Sequence, residues 1–149
     1  MTSGAQVRPA RERDLGGVLA LFRCLNEDDA ILPEARAASI WAEISDAPGI
    51  TIYVAEHEAR LVAMCTLIVV PNLGRGGRPI AFIENVVTLE DVRRRGFGRA
   101  VIEAALAAAW SHGCYKVMLM TGPRLEGVLD FYRSVGFEGG KTALQIRRL

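Results

Sequence analysis

The sequence predicts a single mixed α/β domain over residues 1–149, built around one sheet. The chain has 149 residues and half of them are apolar, which is enough for one domain with a buried core. The apolar pattern changes along the chain between helical spacing and runs of β-branched residues. These segments follow the order β-α-α-β-β-β-α-β-α-β, which is typical of helices packed against a mixed sheet.

The first half of the chain predicts one strand, two helices and a hairpin. "VRPA" at 7–10 indicates a short strand, and Asp14 caps a helix whose apolar residues follow at helical spacing. A second helix is predicted over 34–47, before a Pro-Gly pair. The segments "ITIYVAE" and "RLVAMCTLIVV" are β-branched and apolar, so they predict a hairpin. Its polar turn contains His57.

The second half predicts three more strands and two more helices. They follow a glycine-rich loop at 71–79. The predicted elements are a strand at 80–88, a helix from about 96 to 111, a strand at 115–121, a helix at 124–135 and a final strand at 141–149.

Charge and composition argue against several classes of function. Eighteen basic and seventeen acidic residues leave a net charge of +1, which argues against a broad nucleic-acid surface. The longest apolar stretch, 61–71, is too short to span a bilayer, and the N-terminal segment lacks a signal-peptide pattern. The three cysteines lie far apart without C-x-x-C spacing, and the two histidines lie in a turn and at a helix end, so we predict no metal site. A soluble cytoplasmic protein without a membrane or nucleic-acid partner is expected.

The turn "EDVRRRGFGRAV" places positive charge beside two glycines where a strand should meet a helix. The first turn of a helix leaves backbone N–H groups without an internal partner, and the helix dipole adds positive potential there. Gly96 and Gly98 would let a ligand approach the backbone closely. The turn is neither a Walker loop nor G-x-G-x-x-G. It favours phosphate or pyrophosphate binding, with a solvated basic turn as the alternative.

Two side chains are candidates for proton transfer. Glu84 lies in the otherwise apolar segment "AFIENVV", where it is either a desolvated proton acceptor in a central strand or an edge residue that points to water. Tyr132 is either a core tyrosine or a phenol that donates a proton to a departing thiolate. A carboxylate, a phenol and a pyrophosphate-binding turn on one small domain suggest acyl transfer from a thioester.

These segments resemble the GCN5-related N-acetyltransferase (GNAT) superfamily over nearly the whole chain. Arg93-x-x-Gly96-x-Gly98 matches the family's acetyl-CoA loop, Arg/Gln-x-x-Gly-x-Gly/Ala, and "FYRSVGF" follows at the expected separation. The run "CYKVMLMTG" is also similar to the glucosamine-phosphate acetyltransferase branch. The resemblance implies a splayed mixed sheet and acetyl-CoA as donor, with CoA as product. The acceptor would be a primary amine of a small molecule or peptide.

The resemblance also implies a role for each site residue. Backbone N–H groups of the turn would hold the CoA pyrophosphate, the end of the strand would pair with pantetheine, and the Val87 N–H would polarise the thioester carbonyl. Glu84 would accept the amine proton, directly or through water, and Tyr132 would protonate the CoA sulfur. The predicted cofactor-binding residues are Val86, Val87, Thr88, Arg93, Arg94, Arg95, Gly96, Phe97, Gly98, Arg99, Ala100, Phe131 and Tyr132.

One departure from the family pattern keeps other functions open. Many members carry Asn seven residues before the tyrosine, where this chain has Leu125. A non-catalytic sensor of CoA or acyl-CoA is therefore a second hypothesis. A plain nucleotide-binding protein, to which ATP would bind as well as CoA, is a third.

The sequence leaves the acceptor and the assembly open. The acidic "NEDD" at 26–29 could attract a cationic amine or be a solvated helix end, whereas Arg75, Arg78 and Arg124 favour an anionic acceptor. Many members of the family dimerise at the last strand, so the resemblance implies a homodimer.

Overall fold

A computed structural model describes residues 4–122 and 126–148 of the chain. Within these residues, five strands form one sheet in the order β1-β2-β3-β4-β5, antiparallel except for the parallel pair β4 and β5. The strands are β1 (Gln6–Pro9), β2 (Ile50–His57), β3 (Arg60–Val70), β4 (Ile80–Thr88) and β5 (Lys116–Met118). The helices are α1 (Leu15–Leu25), α2 (Glu34–Asp46), the one-turn α3 (Gly74–Gly77), α4 (Phe97–Ser111) and α5 (Val128–Ser134). The predicted mixed α/β fold is confirmed.

The hairpin of β2 and β3 closes through a two-residue turn at Glu58 and Ala59. Both residues have positive φ, 50° and 59°, which matches the twist of the flanking strands. His57 is therefore the last residue of β2, not part of a polar turn as predicted, and it pairs with Arg60. Its side chain is only 13 % exposed.

Both faces of the sheet are covered. The residues from Val62 to Leu67 in β3 are all buried, although alternate side chains of a strand point to opposite faces. Helix α4 covers one face, where the Cys65 thiol donates to the carbonyl of Val101 at 3.3 Å. Helix α1 packs against β3 and β4 on the other face, and α2 packs against β2 beside it.

The sheet splays between β4 and β5. Strand β5 pairs only with the segment Ile80–Phe82, so β4 continues past this point with β3 alone as its described neighbour. A bulge lies in the unpaired part, because Thr66 pairs with Glu84 whereas Met64 pairs with Val87. Asn85 at the bulge has a φ of 54°. The splayed sheet implied by the resemblance is confirmed.

The predicted final strand is wrong for the described residues 141–148, which form neither helix nor strand. The side chains of Leu144 and Ile146 are 90 % and 100 % exposed. Alternating apolar residues favour a strand only where a neighbouring strand supplies hydrogen bonds and cover, and this segment has neither within the described chain. Strand β5 is also shorter than the predicted strand 115–121.

No helix in the described ranges is long and apolar enough to cross a membrane.

Candidate active site

Helix α4 begins with backbone donors that have no partner inside the helix. Gly96 precedes it with φ 87° and ψ 0°, a left-handed conformation that L residues rarely adopt. The first helical bond runs from the Ala100 N–H to the Gly96 carbonyl at 3.0 Å. Ala100 was predicted to bind the cofactor, but its N–H is already used within the helix. The N–H groups of Phe97, Gly98 and Arg99 precede it, and no side chain in the described residues caps this end. These groups suit the pyrophosphate of CoA.

Gly98 brings three elements together at this helix end. A Cβ at Gly98 would lie 2.9 Å from Thr88 Oγ1 and 3.9 Å from Phe131 Cζ. The end of β4, the first turn of α4 and the Phe131 side chain of α5 therefore lie side by side. A larger side chain at Gly98 would have to displace Thr88.

Two of the predicted arginines are held by neighbouring groups of the fold. The Arg93 guanidinium donates to the Thr88 carbonyl at 3.3 Å. Arg99 donates to the carbonyl and hydroxyl of Ser134, at 3.2 and 2.6 Å, and so joins α4 to α5. These hydrogen bonds tie the turn and the first turn of α4 to the end of β4 and to α5. Arg94 is exposed, with a φ of 62°.

The free edge of β4 offers the amides of Val86 and Thr88. The Leu89 N–H donates to the Val62 carbonyl at 2.9 Å, and Met64 is opposite Val87 in the same register. N–H groups alternate in direction along a strand, so the Val87 N–H also points toward β3. This geometry contradicts the predicted role of the Val87 N–H. The amides on the open side belong to Val86 and Thr88, which suits the predicted pairing with pantetheine.

Glu84 lies where β4 and β5 diverge, close enough for its charge to act on Tyr132. Glu84 is half-buried in the interior strand β4, two residues past its last pair with β5. Tyr132 lies on α5, with its ring 5.2 Å from Phe131 and 6.0 Å from Phe137. Burial raises the pKa of the Tyr132 phenol, and the negative charge of Glu84 raises it further. The phenol is therefore protonated at neutral pH and can serve as an acid.

The cysteine nearest to this centre is chemically inert. Cys65 is fully buried, and burial raises the pKa of its thiol to about 12. The arrangement therefore offers a base and an acid beside the free edge of β4, and no thiolate nucleophile among the described residues.

The acceptor side carries groups of both charges. Asn26, Asp28 and Asp29 are exposed after α1, in agreement with a solvated helix end. Arg78 donates to the carbonyls of Gly113 and Cys114, at 3.3 and 3.2 Å, so it holds the loop before β4. Predicted residues Arg124 and Leu125 lie outside the described residues.

Sequence reasoning missed one residue next to the turn. His57 accepts a hydrogen bond from Arg95 at 3.1 Å, and its ring lies 5.1 Å from the ring of Phe97. The polar segment "EHEAR" gave no signal for this position, because the contact forms only when β2 ends beside α4.

Comparison with known proteins identifies the fold and the chemistry. A family model described as the acetyltransferase (GNAT) family matches residues 18–137. The chain belongs to this family. It is an N-acetyltransferase, and acetyl-CoA is its cosubstrate.

Individual relatives of this N-acetyltransferase agree along almost its full length. A glucosamine 6-phosphate N-acetyltransferase from Trypanosoma brucei brucei is 32% identical over 143 residues, which cover 95% of this chain and 94% of that protein. A solved structure from Agrobacterium tumefaciens strain C58, assigned as an acetyltransferase, is 47% identical with a TM-score of 0.92, covering 96% of this chain and 99% of the other. A crystal structure of a Trypanosoma brucei acetyltransferase has a TM-score of 0.85 at 32% identity, covering 97% of this chain and 99% of that one.

Proposed function

We propose that this N-acetyltransferase transfers the acetyl group directly to a primary amine, within a complex that holds both substrates. The observation that carries the proposal is the position of Glu84 at the divergence of β4 and β5, where its charge acts on the Tyr132 phenol. The bond from the acetyl carbon to sulfur breaks as the bond to nitrogen forms. Glu84 accepts the proton that the amine loses, directly or through water, and Tyr132 gives its proton to the departing sulfur.

The donor binds along two sets of backbone groups in this proposal. The N–H groups of Phe97, Gly98 and Arg99 hold the pyrophosphate, and the Val86 carbonyl and Thr88 N–H on the free edge pair with the pantetheine amides. We assign the polarising N–H to Val86, because it lies on the open side, next to the bulge. Cys65 forms no acyl-enzyme in this scheme, since its thiol stays neutral.

We further propose an amino sugar phosphate as the acceptor, with glucosamine 6-phosphate as the compound to test first. The support is the Trypanosoma relative of that name, which matches 95% of this chain. The test mixes purified protein with acetyl-CoA and each of four amines: glucosamine 6-phosphate, glucosamine, an aminoglycoside and spermidine. Released thiol gives the rate, and mass spectrometry detects a product heavier by one acetyl group.

Each result of the acceptor screen has a distinct meaning. Fast acetylation of glucosamine 6-phosphate and slow acetylation of free glucosamine would support a phosphosugar acceptor. Preference for spermidine or the aminoglycoside would overturn that acceptor and keep the transfer chemistry. Saturable CoA binding without acetylation across a wider amine panel would favour the sensor hypothesis.

We also propose that two copies of the chain associate through the segment 141–148. Leu144 and Ile146 are exposed there, although large apolar side chains are normally covered. Size-exclusion chromatography with light scattering should give twice the chain mass of 16.2 kDa. Leu144→Ser with Ile146→Ser should then give a monomer. A wild-type protein that elutes at the chain mass would contradict this assembly.

A further inference from the structure

A side-chain hydrogen bond joins the bulge of β4 to β3. The amide nitrogen of the Asn85 side chain donates to the Thr66 hydroxyl at 3.2 Å. Thr66 is only 7 % exposed, so the accepting hydroxyl is largely shielded from water. The pairing of β4 with β5 ends at Phe82, so β3 is the only described strand that holds this part of β4 in place.

The bulge brings Asn85 to the same face of the sheet as Glu84. Successive side chains of a regular strand point to opposite faces. Glu84 lies directly opposite Thr66, so these two side chains share a face. Asn85 follows Glu84 in the chain and still reaches the Thr66 hydroxyl. Cys65, next to Thr66, contacts α4, so the shared face is the other one, against which α1 packs.

Asn85 occupies the bulge in a left-handed backbone conformation, with a φ of 54°. Glycine adopts this conformation without strain, and asparagine tolerates it better than most residues do. A glycine would therefore meet the backbone requirement alone. Asparagine adds a side chain that ties the bulge to β3 beside the candidate base.

We propose that Thr66 and Asn85 are positioning residues for acetyl transfer: their hydrogen bond fixes the bulge of β4 and thereby the direction of the Glu84 carboxylate. The proposal rests on the proposed role of Glu84 as the base. Without the hydrogen bond, the chain can rotate at residue 85, immediately after Glu84. A base accepts a proton only within hydrogen-bond reach, so a displacement of about 1 Å slows the chemical step.

The test measures kcat with acetyl-CoA and the amine that is acetylated fastest in the acceptor screen. Thr66→Val removes the hydroxyl and keeps a β-branched side chain, whereas Thr66→Ser keeps the hydroxyl. Asn85→Gly removes the same hydrogen bond from the other side and keeps the left-handed backbone. Thr51→Val is the matched control, because it makes the same change on β2, two strands from Glu84. Urea unfolding of each variant ensures that kcat is compared between folded proteins.

Loss of the hydrogen bond should lower kcat by on the order of 10- to 100-fold in Thr66→Val and in Asn85→Gly. Thr66→Ser should recover most of the rate lost in Thr66→Val, and Thr51→Val should turn over as the wild type does. In a protein that already carries Glu84→Gln, Thr66→Val should cause little further loss, because residues that act through one group are not additive.

The outcomes separate this proposal from the proposed base. A wild-type kcat in Thr66→Val or in Asn85→Gly, together with a slow Glu84→Gln, would overturn the positioning role and leave the base in place. A full further loss when Thr66→Val is added to Glu84→Gln would also overturn it. A wild-type kcat in Glu84→Gln, or a wild-type protein that acetylates no amine, would overturn the proposed chemistry and this proposal with it.

Discussion

Replacing Gly96 by alanine tests whether the left-handed turn before α4 is needed for cofactor binding. Gly96 has a φ of 87°, where a Cβ crowds the following carbonyl and costs about 1–2 kcal/mol. The free protein can escape this strain by rotating the peptide groups beside residue 96. Binding must then restore the turn, so the strain appears as lost affinity. The upper bound is about a 5- to 30-fold weaker affinity for CoA.

Gly113 provides a matched control at the other end of the same helix. It has a φ of 78°, and a Cβ there would meet no atom within 4 Å. Gly113→Ala therefore carries similar strain without touching the proposed site. Urea unfolding should show no larger loss of stability for Gly96→Ala than for Gly113→Ala, and calorimetry should show weaker CoA binding only for Gly96→Ala. Unchanged affinity in Gly96→Ala, or an equal loss in both variants, would refute the proposed use of this turn.

Three further variants address the chemistry and the stability of the fold. Tyr132→Phe should lower kcat by about 100-fold or more with CoA affinity unchanged, since a general acid acts only in the chemical step; wild-type turnover would remove this assignment. Glu84→Gln should slow transfer most at low pH, where the amine is most protonated, and a loss that is the same at every pH would point to another base. Asp14→Asn should cost about 1–3 kcal/mol of unfolding free energy, because it removes the charge of one of the two carboxylates, Asp14 and Glu56, that hold the buried Arg8 guanidinium at 2.6 Å. The hydrogen bonds from Arg8 lower the pKa of Asp14, so the stability that the ion pair contributes is complete above about pH 4 and is lost as the pH falls further. If the difference in unfolding free energy between wild type and variant persists unchanged at about pH 3, the ion-pair account is contradicted.

The local elements of this fold could be predicted because their signals lie within short segments. Asp14 precedes a helical stripe, and β-branched runs flank the hairpin turn, so α1, β2 and β3 are found near their predicted places. The role of Gly96 and Gly98 in the turn before α4 could be predicted for the same reason. Gly96 meets a backbone requirement that side-chain packing does not alter.

Features that depend on pairing between distant strands could not be predicted. The direction of the Val87 N–H depends on the register of β4 against β3. The bulge at Asn85 contains no glycine that would have indicated its positive φ in the sequence. The segment 141–148 has the alternating polar and apolar residues of a strand, but this pattern does not show which strand it would pair with. His57 looked like a turn residue, because its neighbours in sequence are polar, whereas its neighbours in space are Arg95 and Phe97.

The most direct test of the account is a calorimetric titration of the wild-type protein with acetyl-CoA, beside a titration with ATP. Acetyl-CoA has the pantetheine arm that the free edge of β4 should pair with, and ATP lacks it. We predict saturable binding of one acetyl-CoA per chain, with ATP at least tenfold weaker, equivalent to about 1.4 kcal/mol. Equal affinity for both ligands would reduce the site to a nucleotide-binding turn. No binding of acetyl-CoA would contradict the assignments of the turn, Glu84 and Tyr132 together.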